Sequence, residues 1–132
     1  MNWDLFSQKM TDLSVKVNVT PDIIVGITRG GLIPARLLSS LLKVKSMYCL
    51  SVEKQGEERK VMTEITADLA GKKIVLVEDM LETGRSLGVA KKYLEGKGAT
   101  VYTACLFVMP QSEVAPDFSL DEVNEVIHFP WE

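Results

Sequence analysis

The apolar run Ile74-Val75-Leu76-Val77 ends in two adjacent acids, Glu78 and Asp79. Four consecutive apolar residues, three of them β-branched, are too few for a helix and leave no polar face, so the run predicts a strand buried on both sides. Strands of this kind belong to parallel sheets covered by helices, and such sheets bind ligands at the carboxyl ends of their strands. The run therefore predicts an α/β fold in which both carboxylates lie at the ligand-binding edge.

Strands and helices alternate along the rest of the chain. Short apolar runs predict strands at residues 23–27, 47–52, 61–66, 74–77, 101–109 and 125–129. Helical spacing of apolar residues predicts helices over residues 4–17, from Pro34 onward and over residues 85–94, with Asp4 as a possible cap of the first. The pattern predicts a single domain over residues 1–132, with a mostly parallel sheet and helices on both of its faces.

Composition excludes several classes of protein. The chain has 132 residues, a net charge of -3 and 46% hydrophobic residues, which suits one globular domain and disfavours a broad nucleic-acid surface. No apolar stretch approaches the roughly 20 residues that span a bilayer, and no basic-then-apolar leader is present at the N-terminus. Cys49 and Cys105 are expected to be reduced thiols. A cytoplasmic protein without membrane or nucleic-acid partners is the expectation.

A second motif comes directly after the acids. Thr83, Gly84, Arg85 and Ser86 open the third predicted helix, where backbone N–H groups are unpaired and can receive a phosphate monoester. Gly84 permits close approach of the backbone, and the two hydroxyls add donors. The alternative is an ordinary helix cap, since Thr and Ser are common capping residues.

The acids themselves suggest a ligand. Glu78 and Asp79 repel each other unless something positive or hydroxylic lies beside them, and ribose hydroxyls or hydrated Mg²⁺ suit carboxylate oxygens. The alternative is a solvated turn. Glu82 can act as a general base or hydrogen-bond partner of a reacting heterocycle, or can simply complement the helix dipole.

Three further features each have two interpretations, one functional and one purely structural. Arg29, Gly30 and Gly31 come after the strand at residues 23–27 and offer N–H groups and a charge to an anion, or form a tight turn. The charged residues 53–60 form either an active-site lid or a solvated hairpin. Trp131 either stacks on a flat ligand or closes the core.

The stretch from Val75 to Leu87 resembles the 5-phosphoribosyl 1-pyrophosphate (PRPP) signature of type I phosphoribosyltransferases. The segment from Ile27 to Pro34 resembles the pyrophosphate loop of that family. Asn2-Trp3-Asp4 and Phe129-Pro130-Trp131-Glu132 resemble the two chain ends of bacterial and archaeal xanthine-guanine and related purine phosphoribosyltransferases. The resemblance implies their three-layer fold, with a small C-terminal hood that ends in Phe129-Pro130-Trp131-Glu132.

The resemblance also implies roles for the residues. Glu78 and Asp79 would hold the ribose hydroxyls and Mg²⁺, and Thr83, Gly84, Arg85 and Ser86 would hold the 5-phosphate. Pyrophosphate would bind Thr28, Arg29, Gly30 and Gly31, with a cis peptide before Arg29. Glu82 and Arg29 would be the catalytic residues, with Glu82 near the base.

The base-binding half departs from the family pattern. The resemblance assigns this half to Met109, Val126, Ile127 and Trp131. Purine-using relatives usually carry a lysine where Met109 precedes Pro110, and often a tryptophan where Val126 lies. Loss of a charged donor to the substrate costs on the order of 1.5–3 kcal/mol. The donor-sugar half therefore matches the family more closely than the acceptor half.

The resulting prediction is an enzyme of nucleotide salvage, a homodimer that uses PRPP and Mg²⁺ to transfer phosphoribosyl to a nucleobase and releases pyrophosphate. A purine of the hypoxanthine, xanthine and guanine class is the expected acceptor. Two alternatives stay open: a non-catalytic PRPP or nucleotide sensor, and a phosphoribosyltransferase for a different acceptor.

Overall fold

The computed structural model describes all of residues 1–132, in three helices and eight strands. The helices are α1 (Trp3–Lys16), α2 (Leu32–Leu41) and α3 (Arg85–Gly96). The strands are β1 (Ile23–Thr28), β2 (Met47–Gln55), β3 (Glu58–Val61), β4 (Lys73–Val77), β5 (Met80–Leu81), β6 (Thr100–Ala104), β7 (Phe107–Val108) and β8 (Asp121–Glu122). No helix has the length and apolarity that crossing a membrane requires.

The main sheet has five strands in the order β3-β2-β1-β4-β6. Its pairs are parallel except β2 with β3, which form an antiparallel hairpin. From β1 the chain moves to β2 on one side, and from β4 it moves to β6 on the other. The order of the strands therefore reverses between β1 and β4, which is where open α/β sheets form a crevice for ligands.

Alternation along β4 explains its unbroken apolar sequence. Ile74 and Leu76 belong to a core cluster that includes Leu87 of α3, whereas Val75 and Val77 belong to the opposite cluster with residues of α1 and α2. All four side chains of the run are fully buried. Successive side chains of a strand point to opposite faces, so a strand covered on both faces needs apolar residues throughout. The predicted sheet with helices on both faces is confirmed.

Helix α1 is capped by Asn2 and not by Asp4. The Oδ1 atom of Asn2 accepts a hydrogen bond of 2.8 Å from the backbone N–H of Leu5. Asp4 lies in the first turn instead, where an acid complements the helix dipole. The predicted apolar stripe is correct, since Phe6 and Met10 of α1 are completely buried.

The charged segment at residues 53–60 is a hairpin. Strand β2 continues to Gln55, and β3 pairs with it so that Gln55 faces Glu58. Gly56, at the first position of the two-residue loop, has a φ of 65°, which glycine adopts without strain. The strand predicted at residues 61–66 is wrong, because the returning strand starts at Glu58 and ends at Val61. Three of the four residues of β3 are charged, so its sequence contains no apolar run that would predict a strand.

The long strand predicted at residues 101–109 is two strands in two sheets. β6 ends at Ala104, and β7 joins a small parallel sheet between β5 and β8. Cys105 and Leu106 connect them and are fully buried, so hydrophobicity continues across the break. Their N–H groups donate to the carbonyls of Phe118 and Asp79 instead of to β4. Both cysteines of the chain are free thiols.

The strand predicted at residues 125–129 is absent, and the hood is held by aromatic packing. The Trp131 ring stacks on Phe129 with centroids 4.8 Å apart, and it forms a T-shaped pair with Phe6 at the same centroid distance. The N-terminal amino group of Met1 donates to the carbonyl of His128 at 3.0 Å. Side-chain contacts with α1 thus replace the ladder of backbone hydrogen bonds that a strand would have formed.

Candidate active site

The candidate site lies where β1 and β4 end. These strands are adjacent and parallel, with Gly26 paired to Val77. Arg29 and Gly30 come after β1, while Glu78 and Asp79 come after β4, so the two predicted loops meet at the point where the strand order reverses. The sheet thus brings together the predicted pyrophosphate loop and the predicted acid pair.

Two glycines allow this contact. A Cβ atom on Gly30 would lie 2.5 Å from Oδ2 of Asp79, and one on Gly31 would collide with the carbonyl oxygen of Val77. The Gly31 N–H donates to the Ile27 carbonyl at 2.8 Å. The Thr28–Arg29 peptide bond is cis. Close packing of the two loops is therefore the local reason for glycine at both positions.

The acid pair is partly buried and locally hydrogen-bonded. Oδ1 of Asp79 accepts from the N–H of Met80 at 2.7 Å, and Oε1 of Glu78 accepts from the N–H of Asp79 at 3.2 Å. Burial, and after it the neighbouring Asp79 carboxylate, raises the pKa of Glu78 well above its ordinary value of 4.5. Burial also raises the pKa of Asp79. Both shifts mean that burial disfavours the charged carboxylates, a cost that a positive or hydrogen-donating ligand beside them would offset.

No basic side chain supplies that charge, because none of the ion pairs in the structure involves Glu78 or Asp79. Nor is there a cluster of three or more metal-ligating side chains that would cage an ion. Mg²⁺ bound to substrate phosphates needs only one or two carboxylates, with substrate and water oxygens completing its shell. The donor set at Glu78 and Asp79 fits that use of Mg²⁺ and does not fit a cation held by protein alone.

The start of α3 is the second element of the site. Gly84 precedes the helix with a φ of 76°, and Oγ1 of Thr83 accepts from the N–H of Arg85 at 3.3 Å. The N–H groups of Gly84, Ser86 and Leu87 have no partner in the chain. Unpaired N–H groups at a helix N-terminus form an anion site. The structure thus retains donors that a closed helix cap would have used.

The Arg85 side chain is bound to neighbouring acids, unlike the other three predicted residues of this segment. Its guanidinium forms an ion pair of 3.1 Å with Glu113 and lies 3.9 Å from Glu57 at the hairpin tip. Hydrogen bonding to Arg85 lowers the pKa of Glu113, and the same contact raises the pKa of Arg85. The side chain of Arg85 is therefore engaged with neighbouring loops, and its backbone N–H bonds to Thr83.

A cavity of about 230 Å³ joins Glu78 of the acid pair to the start of α3. It is lined by six of the predicted site residues: Glu78, Glu82, Thr83, Gly84, Arg85 and Ser86. Arg59 of β3 also lines it, and sequence reasoning missed this residue. Arg59 is half-buried between exposed Glu58 and Lys60, so alternation in the hairpin was the signal that could have identified it.

A second cavity, of about 580 Å³, lies on the other side of the acid pair. Arg29, Gly30, Asp79, Trp131 and Glu132 line it. Because Glu78 lines the first cavity and Asp79 the second, the acids separate the two. Trp131 packs on Phe129, as the prediction that it closes the core requires, and it also borders this cavity, so its stacking on a flat ligand stays a prediction.

The other residues predicted to bind the base are dispersed. Met109 borders a third cavity together with Pro110, although its N–H donates to the Leu81 carbonyl at 2.8 Å and so places it beside Glu82. Val126 is 49% exposed. Ile127 packs partly buried against the core cluster of α1. Only Trp131 of the four borders a cavity that also contains an acid of the pair.

Comparison with known proteins agrees with this geometry. The profile of the phosphoribosyl transferase domain matches residues 2–132. The xanthine-guanine phosphoribosyltransferase of Idiomarina loihiensis is 31% identical over 117 residues, covering 83% of this chain and 70% of that protein. The xanthine-guanine phosphoribosyltransferase of Cereibacter sphaeroides is 31% identical over 118 residues, covering 83% of this chain and 68% of that protein.

A solved structure extends the match to three dimensions. The purine phosphoribosyltransferase of Pyrococcus horikoshii superimposes with a TM-score of 0.92 at 33% identity, covering 100% of this chain and 92% of that one. Sequence and fold agree over nearly the whole length. The chain belongs to the phosphoribosyltransferase family of pentosyltransferase enzymes.

Proposed function

We propose that this protein transfers the phosphoribosyl group of PRPP to a purine base in the presence of Mg²⁺ and releases pyrophosphate. One observation carries the proposal: a single cavity joins an acid without a cationic partner, Glu78, to unpaired N–H groups at the start of α3. A sugar phosphate presents hydroxyls to the first and an anion to the second. The similarity to relatives named xanthine-guanine phosphoribosyltransferases supports a purine as the acceptor class.

The donor sugar would occupy the cavity of about 230 Å³. Its 5-phosphate would accept hydrogen bonds from the backbone of residues 83–86 and from the hydroxyls of Thr83 and Ser86. Its ribose hydroxyls would donate to Glu78 and Asp79. Arg59 would add a positive charge from the hairpin side, where a phosphate-bearing ligand brings negative charge.

Pyrophosphate would occupy the loop after β1. In the segment Thr28, Arg29, Gly30 and Gly31, the N–H groups of Arg29 and Gly30 have no partner in the chain and Arg29 adds a guanidinium. Arg29 is exposed and borders the second cavity with Asp79. Mg²⁺ held at Asp79 and at pyrophosphate oxygens would neutralise charge as the leaving group departs. The contact between Gly30 and Asp79 would keep these two groups at a constant separation.

The transfer exchanges one bond for another. The bond from ribose C1 to the pyrophosphate oxygen breaks, and its electron pair leaves with pyrophosphate, beside Arg29. A nitrogen of the base forms the new bond to C1 and loses its proton, and the exposed carboxylate of Glu82, which lines the cavity, would accept that proton. The hairpin of β2 and β3 shields the intermediate cationic sugar from water.

A PRPP or nucleotide sensor without transfer activity is the second candidate. Val126 is exposed and Met109 cannot donate to a purine oxygen, so the acceptor half lacks two groups that the family pattern contains. A transferase for a different acceptor is consistent with the same observation. These three functions share the donor site and differ only in the fate of bound PRPP.

Pyrophosphate release distinguishes the three functions. The purified protein is incubated with PRPP and Mg²⁺ and screened against hypoxanthine, guanine, xanthine, adenine and pyrimidine bases. Release with oxopurines supports the proposal, and release with another base alone identifies a different acceptor. Saturable binding of PRPP by calorimetry without release on any base would support the sensor and contradict the proposal.

A further inference from the structure

A cavity of about 440 Å³ lies at the end of α2, next to the first residue of β2. Parallel strands begin at this edge of the sheet, whereas the acid pair lies at the edge where they end. The polar residues that line the cavity are Arg36, Ser39, Ser40, Lys43 and Lys45, and no acidic residue lines it. The proposed reaction uses none of these side chains.

No carboxylate neutralises the three cations of this cavity. Arg36, Lys43 and Lys45 form no ion pair, although Lys9, Arg85 and Lys97 elsewhere do. The chain as a whole carries a net charge of -3. Concentrating three free cations around one concavity in an acidic protein produces a local positive potential, which attracts anions.

Arg36 is held in place by hydroxyls. Its Nη1 donates to Oγ of Ser40 at 2.5 Å and lies 3.4 Å from Oγ of Ser39. Ser39 is itself only 6% exposed, and its hydroxyl donates to the Arg36 carbonyl at 2.9 Å. The other guanidinium donors have no acceptor in the chain. A guanidinium oriented in this way loses less freedom when it binds a phosphate oxygen.

Lys43 has a backbone conformation that favours glycine. Its φ is 58°, and the N–H groups of Lys43 and Val44 donate to the carbonyls of Ser40 and Ser39 where α2 ends. Glycine is the usual residue at such a helix end, because a side chain there is strained. Attraction to the helix dipole accounts for a cation near this end, but not for the strained position or for Arg36 in the middle of the helix.

We infer that this cavity binds the phosphate group of a small anion. One arginine fork and two lysines match the several oxygens of a phosphate, and hydroxyls of Ser39 and Ser40 complete the polar lining. A concave site of this size with a single cationic cluster suits a small molecule and not an extended nucleic-acid backbone, which would need a stripe of charge. The ligand is either a free polyphosphate or the phosphate of a nucleotide.

Backbone NMR of the ¹⁵N-labelled protein tests the inference, because it reports this cavity and the active site separately. Inorganic pyrophosphate and AMP are titrated in turn, with sodium chloride at matched ionic strength as the control. We expect saturable shifts of the amide signals of residues 39–45 that chloride does not produce. Stronger binding of pyrophosphate would identify a free polyphosphate as the ligand, and stronger binding of AMP a nucleotide.

Two variants decide whether the cavity itself binds. Arg36→Gln and Lys43→Gln are each expected to weaken binding at residues 39–45 about tenfold, the effect of losing one charge-assisted contact, while the shifts at residues 83–86 persist. Lys72→Gln, at an exposed lysine away from the cavity, is the matched control and should change neither. Absence of saturable shifts at residues 39–45, or shifts that both cavity variants leave unchanged, would overturn the inference without bearing on the transferase.

Discussion

Gly30 and Asp79 pack so closely that a single added carbon would separate the two loops of the site. A Cβ atom on Gly30 would lie 2.5 Å from Oδ2 and 2.7 Å from Cγ of Asp79. The two residues lie just after adjacent parallel strands, β1 and β4, and belong to the proposed pyrophosphate and ribose halves of the site. In the proposed reaction, their contact would therefore set the distance between the leaving group and the sugar.

Gly30→Ala should push apart the loop after β1 and the Asp79 carboxylate, and so impair the proposed transfer. The added methyl must displace the Asp79 carboxylate or the loop after β1, which we expect to lower the stability by about 1–3 kcal/mol and kcat/KM by on the order of a hundredfold. Thermal unfolding and pyrophosphate release measure the two effects. Gly96→Ala is the matched control, because a Cβ there meets nothing within 4 Å. Equal activity of the two variants would refute the role of this contact.

Asp79→Ala should weaken the binding of PRPP in the presence of Mg²⁺ about a hundredfold. The variant removes one of two carboxylates available to the ribose hydroxyls and the metal, a loss of on the order of 3 kcal/mol or about a hundredfold in Kd. Isothermal titration calorimetry measures the affinity, and Glu125→Ala, at an exposed residue outside both cavities, is the control. Unchanged affinity would end the assignment of the acid pair to PRPP.

The central strands and the acids at their ends were predictable from sequence because one physical requirement governs them. β4 must be apolar on both faces, so Ile74 to Val77 revealed it, and Glu78 and Asp79 are then necessarily at the sheet edge. The start of α3 was predictable for a different reason. Thr83 and Gly84 are typical of residues at a helix start, and apolar residues at helical spacing follow them.

The features that sequence did not reveal depend on contacts between distant segments. Cys105 and Leu106 are as apolar as β6, so nothing local shows that the chain changes sheets there. Residues 125–129 pack through Phe129 and Trp131 on α1 without pairing as a strand. Arg59 was missed because its role arises from the pairing of β3 with β2, which charged residues conceal.

Stability should fall as the pH rises through the titration of Glu78. Burial raises the pKa of this carboxyl in the folded protein above its ordinary value of 4.5, so the folded state binds the proton more tightly than the unfolded chain. The resulting cost of folding is absent below that ordinary value and complete above the raised one. Glu78→Gln removes the charge and should unfold at a higher temperature than the native protein at about pH 8, but not at about pH 4.

Differential scanning calorimetry across this range provides the measurement, with Glu125→Gln as the control for a loss of charge at an exposed position. The same Glu78 variant should bind PRPP more weakly, which would show that stability is sacrificed for function at this position. A Glu78 variant that loses stability at both pH values would contradict the assignment of the raised pKa to a folding cost.

Met109→Lys should improve the use of oxopurines. The hydrogen bond of 2.8 Å from the Met109 N–H to the Leu81 carbonyl places this residue beside Glu82, the residue proposed to lie near the base. A lysine there would offer the 6-oxo group a charged donor. A new charged hydrogen bond to substrate should raise kcat/KM for hypoxanthine and guanine about tenfold, with adenine unaffected. Met62→Lys, at an exposed methionine, is the control. No gain on any oxopurine would place recognition of the base elsewhere.

Arg59→Gln should weaken the binding of PRPP, because it removes the cation that the β2–β3 hairpin contributes to the cavity. Arg59 is half-buried and lines the cavity of about 230 Å³ with Glu78 and Ser86, whereas its neighbour Lys60 is exposed on the other face of β3. We expect KM for PRPP to rise about tenfold in Arg59→Gln, the loss of one charge-assisted contact to a phosphate oxygen, and to stay unchanged in Lys60→Gln. Steady-state kinetics with varied PRPP separate KM from kcat. Equal effects of both substitutions would indicate a general electrostatic attraction and not a contact made by Arg59.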